Sequence, residues 1–344
     1  LTIKEGLDLT PIPLYFLLDE ALLYNYLLYR RFPTMSQADN IFIKTCTDII
    51  ENGIDTTGEE VRAKWADTNE PAYTIKKFGV VNRYNLQKEF PALTLRKINI
   101  KAAIDELLWI WQKKSNNVKD LNSHIWDSWA DENSTIGKAY GYQLGKKYLH
   151  HTIPDYPTHE LYEELAAYPS SSVIMKNGKY YVALDQVDGV LWDLKHNPFS
   201  RRIMTNIYNF NDLHEMNLYP CAYSMTFNVT RDKEDGRMTL NAILNQRSQD
   251  MLTASNWNVV QYAALVMMFA KVCDMYPGEL VHVISDCHIY DRHVPVVQKL
   301  IERPILDAPT VWIDKVDSFY DFTVDNIHIE NYNAGPNVKF PVAI

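Results

Sequence analysis

The chain has 344 residues, 47% of them hydrophobic and 22% charged, a balance that fits a folded soluble protein and excludes a disordered one. With 34 Lys+Arg against 43 Asp+Glu, its net charge is −9. That excludes a broad cationic surface for unspecific nucleic-acid binding and leaves room for a small basic pocket that takes one phosphorylated metabolite.

In chain order, residues 12–31 read as an apolar-rich helix stopped at Phe32-Pro33. Asp19, Glu20 and Asn25 interrupt it too often for a membrane span, and no basic stretch precedes it as in a signal peptide. Residues 1–37 are therefore expected to be a helical extension, a docking helix or dimer accessory, on a main body from 38 to 344. A second helix is expected at about 38–52, ending near Asn52-Gly53. Residues 99–114 carry apolar positions at helical spacing and finish in lysines, which suit a helix C-terminus. Residues 172–184 form two β-rich runs around Asn177-Gly178, a hairpin signal. Residues 222–231 and 237–247 are β-rich and joined by the charged turn 232–236. A long apolar helix is expected at 258–276, ending before Pro277-Gly278, and a buried strand at 279–286. Strands and helices are interspersed without βαβ regularity, so the expected class is α+β. No G-x-G-x-x-G or Walker motif occurs, which speaks against a Rossmann or P-loop enzyme.

Four cysteines, Cys46, Cys221, Cys273 and Cys287, are too few and scattered for a disulfide scaffold, so free thiols in a reducing cytoplasm are expected. Cys221 stands out: it follows Pro220 at the start of a β run, with Arg201-Arg202 upstream, and nearby guanidiniums lower a thiol's pKa. A lone cysteine is more often a small buried hydrophobe, and both readings stay open on this ground alone. Arg62, Arg201, Arg202 and Arg247 are candidates for an anion site, and Ser248 adds a hydroxyl beside Arg247. Four unrelated surface arginines are the alternative. His282, His288 and His293, near Asp286 and Cys287, lack zinc spacing, so no metal is expected. In an extended chain His288 and Tyr290 share one face, suited to hydrogen bonds with a ligand hydroxyl. Glu106, beside Leu107, Leu108 and Trp109, has a raised pKa if buried and is a plain i,i+4 partner if exposed. Trp126 and Trp129, three apart on a short helix, either stack on a flat heterocycle or belong to the core.

These segments together resemble the thymidylate synthase family, the cysteine-dependent enzymes that use folate. The resemblance runs from about residue 40 to Ile344. It rests on Glu106-Leu107-Leu108-Trp109, the run 125–132 (IWDSWADE), Tyr140-Gly141-Tyr142-Gln143 and Ser200-Arg201-Arg202-Ile203. Tyr219-Pro220-Cys221, Gln246-Arg247-Ser248-Gln249-Asp250, the run 258–262 (NVVQY), the run 286–290 (DCHIY) and the final Pro341-Val342-Ala343-Ile344 follow in the family's order. Gln143-Leu144-Gly145-Lys146-Lys147 looks most like the branch found in Gram-positive bacteria and their phages.

The resemblance implies a single catalytic domain over 38–344 with a variable small subregion at 148–184. It implies a large mixed β-sheet packed with helices, with a sheet face at the interface of a homodimer. The implied reaction is reductive methylation of dUMP to dTMP by 5,10-methylenetetrahydrofolate, with no metal, flavin or nicotinamide. Cys221 would be the nucleophile. Glu106, Tyr140, Asp250 and Asn258 would be its catalytic companions, and Asn258 would read the uracil N3–H and O4. Arg62, Arg247 and Ser248 would hold the phosphate with Arg201 and Arg202 of the second subunit, and His288 and Tyr290 would bond the 3′-hydroxyl. Arg96, Ile125, Trp126, Trp129, Leu218, Asp250, Trp257, Tyr262 and Ala343 would line the folate site, closed by the C-terminal residues. Trp257 stands where the family commonly carries Phe, and Ala222 where it commonly carries His. A hydroxymethylase of the same superfamily would share the Cys221 chemistry and quench with water. A non-catalytic nucleotide- or RNA-binding relative is the rival of another class. Asn258 speaks against a cytosine-specific hydroxymethylase, and retention of Cys221, Glu106 and Asn258 speaks against loss of catalysis. No membrane or specific nucleic-acid partner is expected, and the location is expected to be cytoplasmic.

Overall fold

A computed structural model describes residues 35–233 and 235–344. The helix expected at 12–31, and all but the last three residues of the expected extension 1–37, lie outside the described residues.

The first described helix, α1 (Gln37–Asn52), starts where the Ser36 side chain accepts the Asp39 N–H, and it buries Ala38, Phe42, Cys46 and Ile49 at helical spacing. After β1 (Ile54–Asp55) and the long β2 (Thr74–Asn85), α2 (Ile100–Trp111) carries Glu106 into the interior. Asn99 caps it by accepting the Ala102 N–H. This helix ends three residues before the expected 114, so its lysines do not serve its C-terminal dipole. Lys114 instead takes a left-handed φ of 53° and sends its ammonium to Asp185 and the Tyr320 hydroxyl.

A short helix α3 (Gly141–Leu144) precedes a separate antiparallel sheet of β3 (Tyr148–Ile153), β4 (Ser172–Lys176) and β5 (Lys179–Leu184), in the order β3-β5-β4, with α4 (His159–Leu165) between its strands. The expected hairpin is present. Asn177 and Gly178 take φ of 51° and 72°, the paired positive angles of a type I′ turn. Helix α5 (Gln186–His196) leads back to the main body.

There β6 (Met204–Asn206), β7 (Ala222–Arg231) and β8 (Met238–Asp250) are followed by α6 (Ser255–Val272) and β9 (Tyr276–Tyr290). Helix α7 (Val294–Ile301) and the small pair β10 (Thr310–Ile313) and β11 (Ile327–Glu330) complete the order. The main sheet runs β1-β2-β9-β8-β7-β6 and is antiparallel except for the parallel β8–β9 pair, whose crossover is α6. A mixed sheet with helices on it agrees with the expected class.

Two expected boundaries are corrected. The helix expected at 258–276 is Ser255–Val272, because the chain turns at Asp274 with φ 52°. Pro277 and Gly278, read as helix terminators, are the second and third residues of β9, which runs from Tyr276 to Tyr290 rather than from 279 to 286. Glycine is needed at 278, where a Cβ would lie 2.3 Å from the Asn241 Oδ1.

Cross-strand register separates the sheet's faces. The row Thr205–Met225–Leu244–His282–Asn82 includes the buried Thr205, Met225, Leu244 and His282, and the buried helix α6 packs against β8 and β9. The next row, Met204–Thr226–Ile243–Val281–Arg83, points the other way and leaves Met204 and Ile243 exposed, as Val81 is nearby.

Candidate active site

Cys221 occupies the turn that feeds β7, and β8 runs beside it. The Arg247 backbone N–H donates to the Cys221 carbonyl (2.7 Å), and its guanidinium reaches the carbonyls of Pro220 (3.4 Å) and Tyr219 (3.2 Å). The same guanidinium lies 3.7 Å from the Cys221 Sγ. Burial pushes the thiol's pKa up, and the positive charges of Arg247 and Arg62 pull it back. Cys273 and Cys287 are pushed up to about 12 by burial, and Cys46 well above its ordinary value. The charges acting on the thiol within the chain are thus Arg247, in contact with the sulfur, and Arg62. Arg201 and Arg202 stand in an exposed turn, without a side-chain partner among the described residues.

Tyr140 is held in a backbone conformation costly for a side-chain-bearing residue, φ 45° and ψ −107°. Gly141 makes this possible by close approach, since a Cβ there would lie 2.3 Å from the Ser115 carbonyl oxygen. The Tyr140 hydroxyl thereby accepts the Cys221 N–H at 3.2 Å. Its ring packs 5.0 Å from that of Trp126, which lies 5.6 Å from Trp129 and 5.9 Å from Trp109. The short helix expected around the tryptophan pair is one 3₁₀ turn, Asp127–Trp129.

Glu106 is buried, not an exposed helix-surface partner. Its carboxylate accepts the indole N–H of Trp126 at 3.0 Å and of Trp257 at 2.6 Å. Burial raises its pKa to about 6, against the indole hydrogen bonds that favour the charged form. Tyr262 is buried on α6 with its ring 6.2 Å from Trp111, and the charges of Glu106 and Cys221 act on its hydroxyl.

Asn258, in the first turn of α6, accepts from the Gln246 amide and donates to Gln261, both at 3.2 Å. Ser248 follows Arg247 on β8. Asp250 ends that strand, and its carboxylate accepts the N–H groups of Leu252 and Thr253 and the Thr253 hydroxyl. Burial works to raise its pKa, but His293, His288 and Thr253 hold it below the ordinary value. His288 and Tyr290 share a face of β9 with ring centroids 5.2 Å apart, and the His288 Nδ1 pairs with Asp286 at 2.7 Å.

The three histidines occupy separate settings. His282 meets Gln246, His288 meets Asp286, and the buried His293 donates from Nε2 to the Pro341 carbonyl at 2.8 Å. The last contact anchors the C-terminal residues, which also pair with the segment after Arg62. Lys64 and Ile344 exchange two backbone hydrogen bonds, and Ala66 donates to Val342, with Ala343 opposite Trp65. Arg62 is exposed, within electrostatic reach of Cys221 and Tyr290. Arg96 is buried, donates to the Leu252 carbonyl and lies 6.0 Å from the Phe340 ring, with its Nε unpartnered. Ile125 is exposed and Leu218 half-buried.

Sequence reasoning missed the roles of Gln261 and His293. Gln261 lies one helical turn after Asn258, which is a signal in itself. His293 showed none, because its partner is a backbone carbonyl nearly fifty residues away.

A sheet-borne thiol beside a guanidinium, linked through tyrosine and tryptophan to a buried carboxylate, is an arrangement suited to nucleophilic catalysis. The comparisons say which. The family model for thymidylate synthase matches residues 40–344. Thymidylate synthase 1 of Bacillus subtilis (strain 168) is 39% identical over 314 residues, covering 90% of this chain and all of that one. The thymidylate synthase of Bacillus phage phi3T matches at the same identity and coverage. The solved structure of thermostable thymidylate synthase A from Bacillus subtilis superposes with a TM-score of 0.74 at 38% identity, covering 89% of this chain and 99% of that chain. The chain belongs to the thymidylate synthase family, methyltransferases that make dTMP from dUMP. The Gram-positive and phage branch expected from the sequence agrees with these relatives.

Proposed function

We propose that this site methylates dUMP through covalent addition of the Cys221 thiolate to the uracil ring, with 5,10-methylenetetrahydrofolate as the one-carbon donor. The observation that carries the assignment is the Cys221 thiol 3.7 Å from the Arg247 guanidinium, linked through Tyr140 and Trp126 to the buried Glu106 carboxylate.

The sulfur lone pair forms a bond to C6, and the C5–C6 π pair moves towards O4, leaving C5 an enolate carbon. Arg247 favours the thiolate that starts this step. Glu106, with a pKa of about 6, is suited to hold or move a proton at O4 and C5 through water near neutral pH. Once C5 has used that electron pair to bond the transferred carbon, Tyr140 helps to take the C5 proton. As the carbon parts from its donor and receives a hydride, the C5–C6 π bond re-forms, the S–C6 bond breaks and Cys221 leaves as the thiolate. Asn258 offers the uracil edge one acceptor and one donor. His288 and Tyr290 meet the 3′-hydroxyl, while Arg62, Arg247 and Ser248 hold the phosphate.

The residues fit a folate. Trp126 and Trp129 give an aromatic wall, and the buried Asp250 carboxylate offers an acceptor to a heterocycle's N–H groups. Ile125, Leu218, Trp257, Tyr262 and Arg96 would complete the lining, with Ala343 and its neighbours excluding water. When bound, the folate supplies the methylene and the hydride. Among the described residues, no helix is long and apolar enough to cross a membrane. A cytoplasmic setting accords with the free thiols.

The half-apolar sheet face with Val81, Met204 and Ile243 exposed suits a second copy of this chain. Arg201 and Arg202 of each subunit would then reach the phosphate bound by the other. The test is 5-fluoro-dUMP with the folate, because fluorine at C5 does not leave as a proton does and the adduct stalls. Peptide mapping should find the nucleotide on Cys221. An adduct on Cys46, Cys273 or Cys287, or 5-hydroxymethyl-dUMP as the product from dUMP, would overturn the reading.

A further inference from the structure

An asparagine amide reads uracil or cytosine according to which way round it points. Uracil needs the oxygen at N3–H and the NH₂ at O4, and cytosine needs the reverse. In this chain the orientation of Asn258 is not left to the ligand. Its Nδ2 donates to the Gln261 Oε1, and its Oδ1 accepts from the Gln246 Nε2, each at 3.2 Å. Both glutamines are nearly fully buried.

Each glutamine is in turn oriented by a group that cannot reverse. The Gln261 Nε2 donates to the Ala103 carbonyl on α2 at 3.1 Å. The Gln246 Nε2 also donates to the Ser248 carbonyl at 3.0 Å, and the Gln246 Oε1 lies 2.8 Å from the His282 Nε2. A backbone carbonyl only accepts. Turning Asn258 over would set its NH₂ against the Gln246 NH₂ and its oxygen against the Gln261 oxygen. Turning the glutamines as well would set their oxygens against Ala103 and Ser248. His282 is buried, and burial lowers its pKa to about 3, so it is neutral and donates from Nε2 to the Gln246 oxygen.

We propose that Gln261 and His282 are positioning residues for base choice. With Gln246, they form a relay of fixed polarity, from the Ala103 carbonyl to the His282 imidazole, that holds Asn258 in the uracil-reading orientation. The proposal rests on Asn258 being the group that reads the base. Neither Gln261 nor His282 touches the nucleotide, and their effect passes through the Asn258 amide.

The test is equilibrium binding of dUMP and dCMP to the full chain by calorimetry, comparing Gln261→Met, Gln261→Glu and Asn258→Ala with the native protein. Gln261→Met keeps the volume and removes the acceptor, so the dUMP:dCMP affinity ratio should fall roughly tenfold, the scale of one hydrogen bond. Gln261→Glu, measured at about pH 5.5 where a carboxyl buried there is protonated, keeps both an acceptor for Asn258 and a donor for Ala103, and should restore the native ratio. A native ratio in Gln261→Met would overturn the relay, as would equal loss in both Gln261 variants. Asn258→Ala separates the two layers. If it leaves the ratio unchanged, the reading of Asn258 fails; if it collapses the ratio while Gln261→Met does not, only the relay fails.

Discussion

The proposed base end and the proposed phosphate end of this site are built in opposite ways. At the base end, Glu106, Gln246, Gln261 and His282 are buried, and every named hydrogen bond is already made inside the protein. At the proposed phosphate end, Arg62, Arg201 and Arg202 are exposed and their side chains have no hydrogen-bond or ion-pair partner among the described residues. The difference is what the proposed function requires of each end. A neutral heterocycle edge is distinguished only by donor and acceptor positions, so those groups must be fixed before binding. A phosphate is held by charge, and flexible guanidiniums gather around it. Arg247 belongs to both ends, since it braces the Tyr219–Cys221 turn and keeps its guanidinium beside the thiol.

The largest effect should come from setting one end against the other. Cys221→Ala should cut turnover by at least about 10⁴-fold, the scale for loss of a covalent nucleophile, while dUMP still binds. Arg202→Glu should also inactivate, through the phosphate. If Arg202 serves the neighbouring subunit, mixing the two inactive proteins recreates one whole site in each hybrid dimer. Random exchange should then restore about a quarter of native activity, with half of the dimers hybrid and each having one working site. No recovery despite proven subunit exchange would place Arg202 in its own subunit's site or outside both.

Two glycines test whether the rigidity of the base end is specific. At Gly141 a Cβ would lie 2.3 Å from a backbone oxygen, beneath the strained Tyr140. Gly141→Ala should cost about 2–3 kcal/mol and lower kcat by roughly tenfold or more, as Tyr140 is displaced. Gly178 in the hairpin of the small sheet has a φ of 72° and open space around its Cβ position. Gly178→Ala should cost about 1 kcal/mol and leave kcat unchanged. Thermal unfolding with parallel rate measurements separates the two. Equal kcat in both variants would mean that Tyr140 is not held by this packing.

The same contrast explains what was legible in the sequence. Local rules found α1, α2, the Asn177-Gly178 hairpin and the β7–β8 pair, because caps, periodicity and turn residues act within a few positions. They failed at Pro277-Gly278, where parallel pairing with β8 draws residues usually read as breakers into a strand. At Lys114 an ion pair with the distant Asp185 outweighs the pull of the helix dipole. In the site, Glu106 was legible as a carboxylate in apolar company, but its two indole partners come from 20 and 151 residues away. The exposed arginines were legible by residue type as anion-site candidates, but only the resemblance gave them separate roles, since nothing in the chain's own packing marks them.

The smallest effect concerns the tuning of Glu106. Burial raises its pKa from an ordinary 4.5 to about 6, and the Trp257 indole N–H is the strongest influence pulling it down. For a carboxyl raised in this way, the linked stability is fully present below the ordinary value and is lost as pH rises through about 6. That loss amounts to about 2 kcal/mol at 1.36 kcal/mol per pH unit. If Glu106 works as the carboxylate, kcat should fall on the acid side with a midpoint near 6. Trp257→Phe removes one donor to the charged form while keeping an aromatic ring in place. The midpoint should then move up by about one pH unit, since a hydrogen bond to a charged group is worth roughly 1.5–3 kcal/mol. Activity should drop most near pH 6 and recover by about pH 8, where both forms of the enzyme are ionised. Trp257→Phe with an unmoved midpoint would show either that Trp126 alone holds the carboxylate or that the acid limb belongs to another group. Repeating the profile in Trp126→Phe distinguishes these, because only the first outcome predicts a shift there.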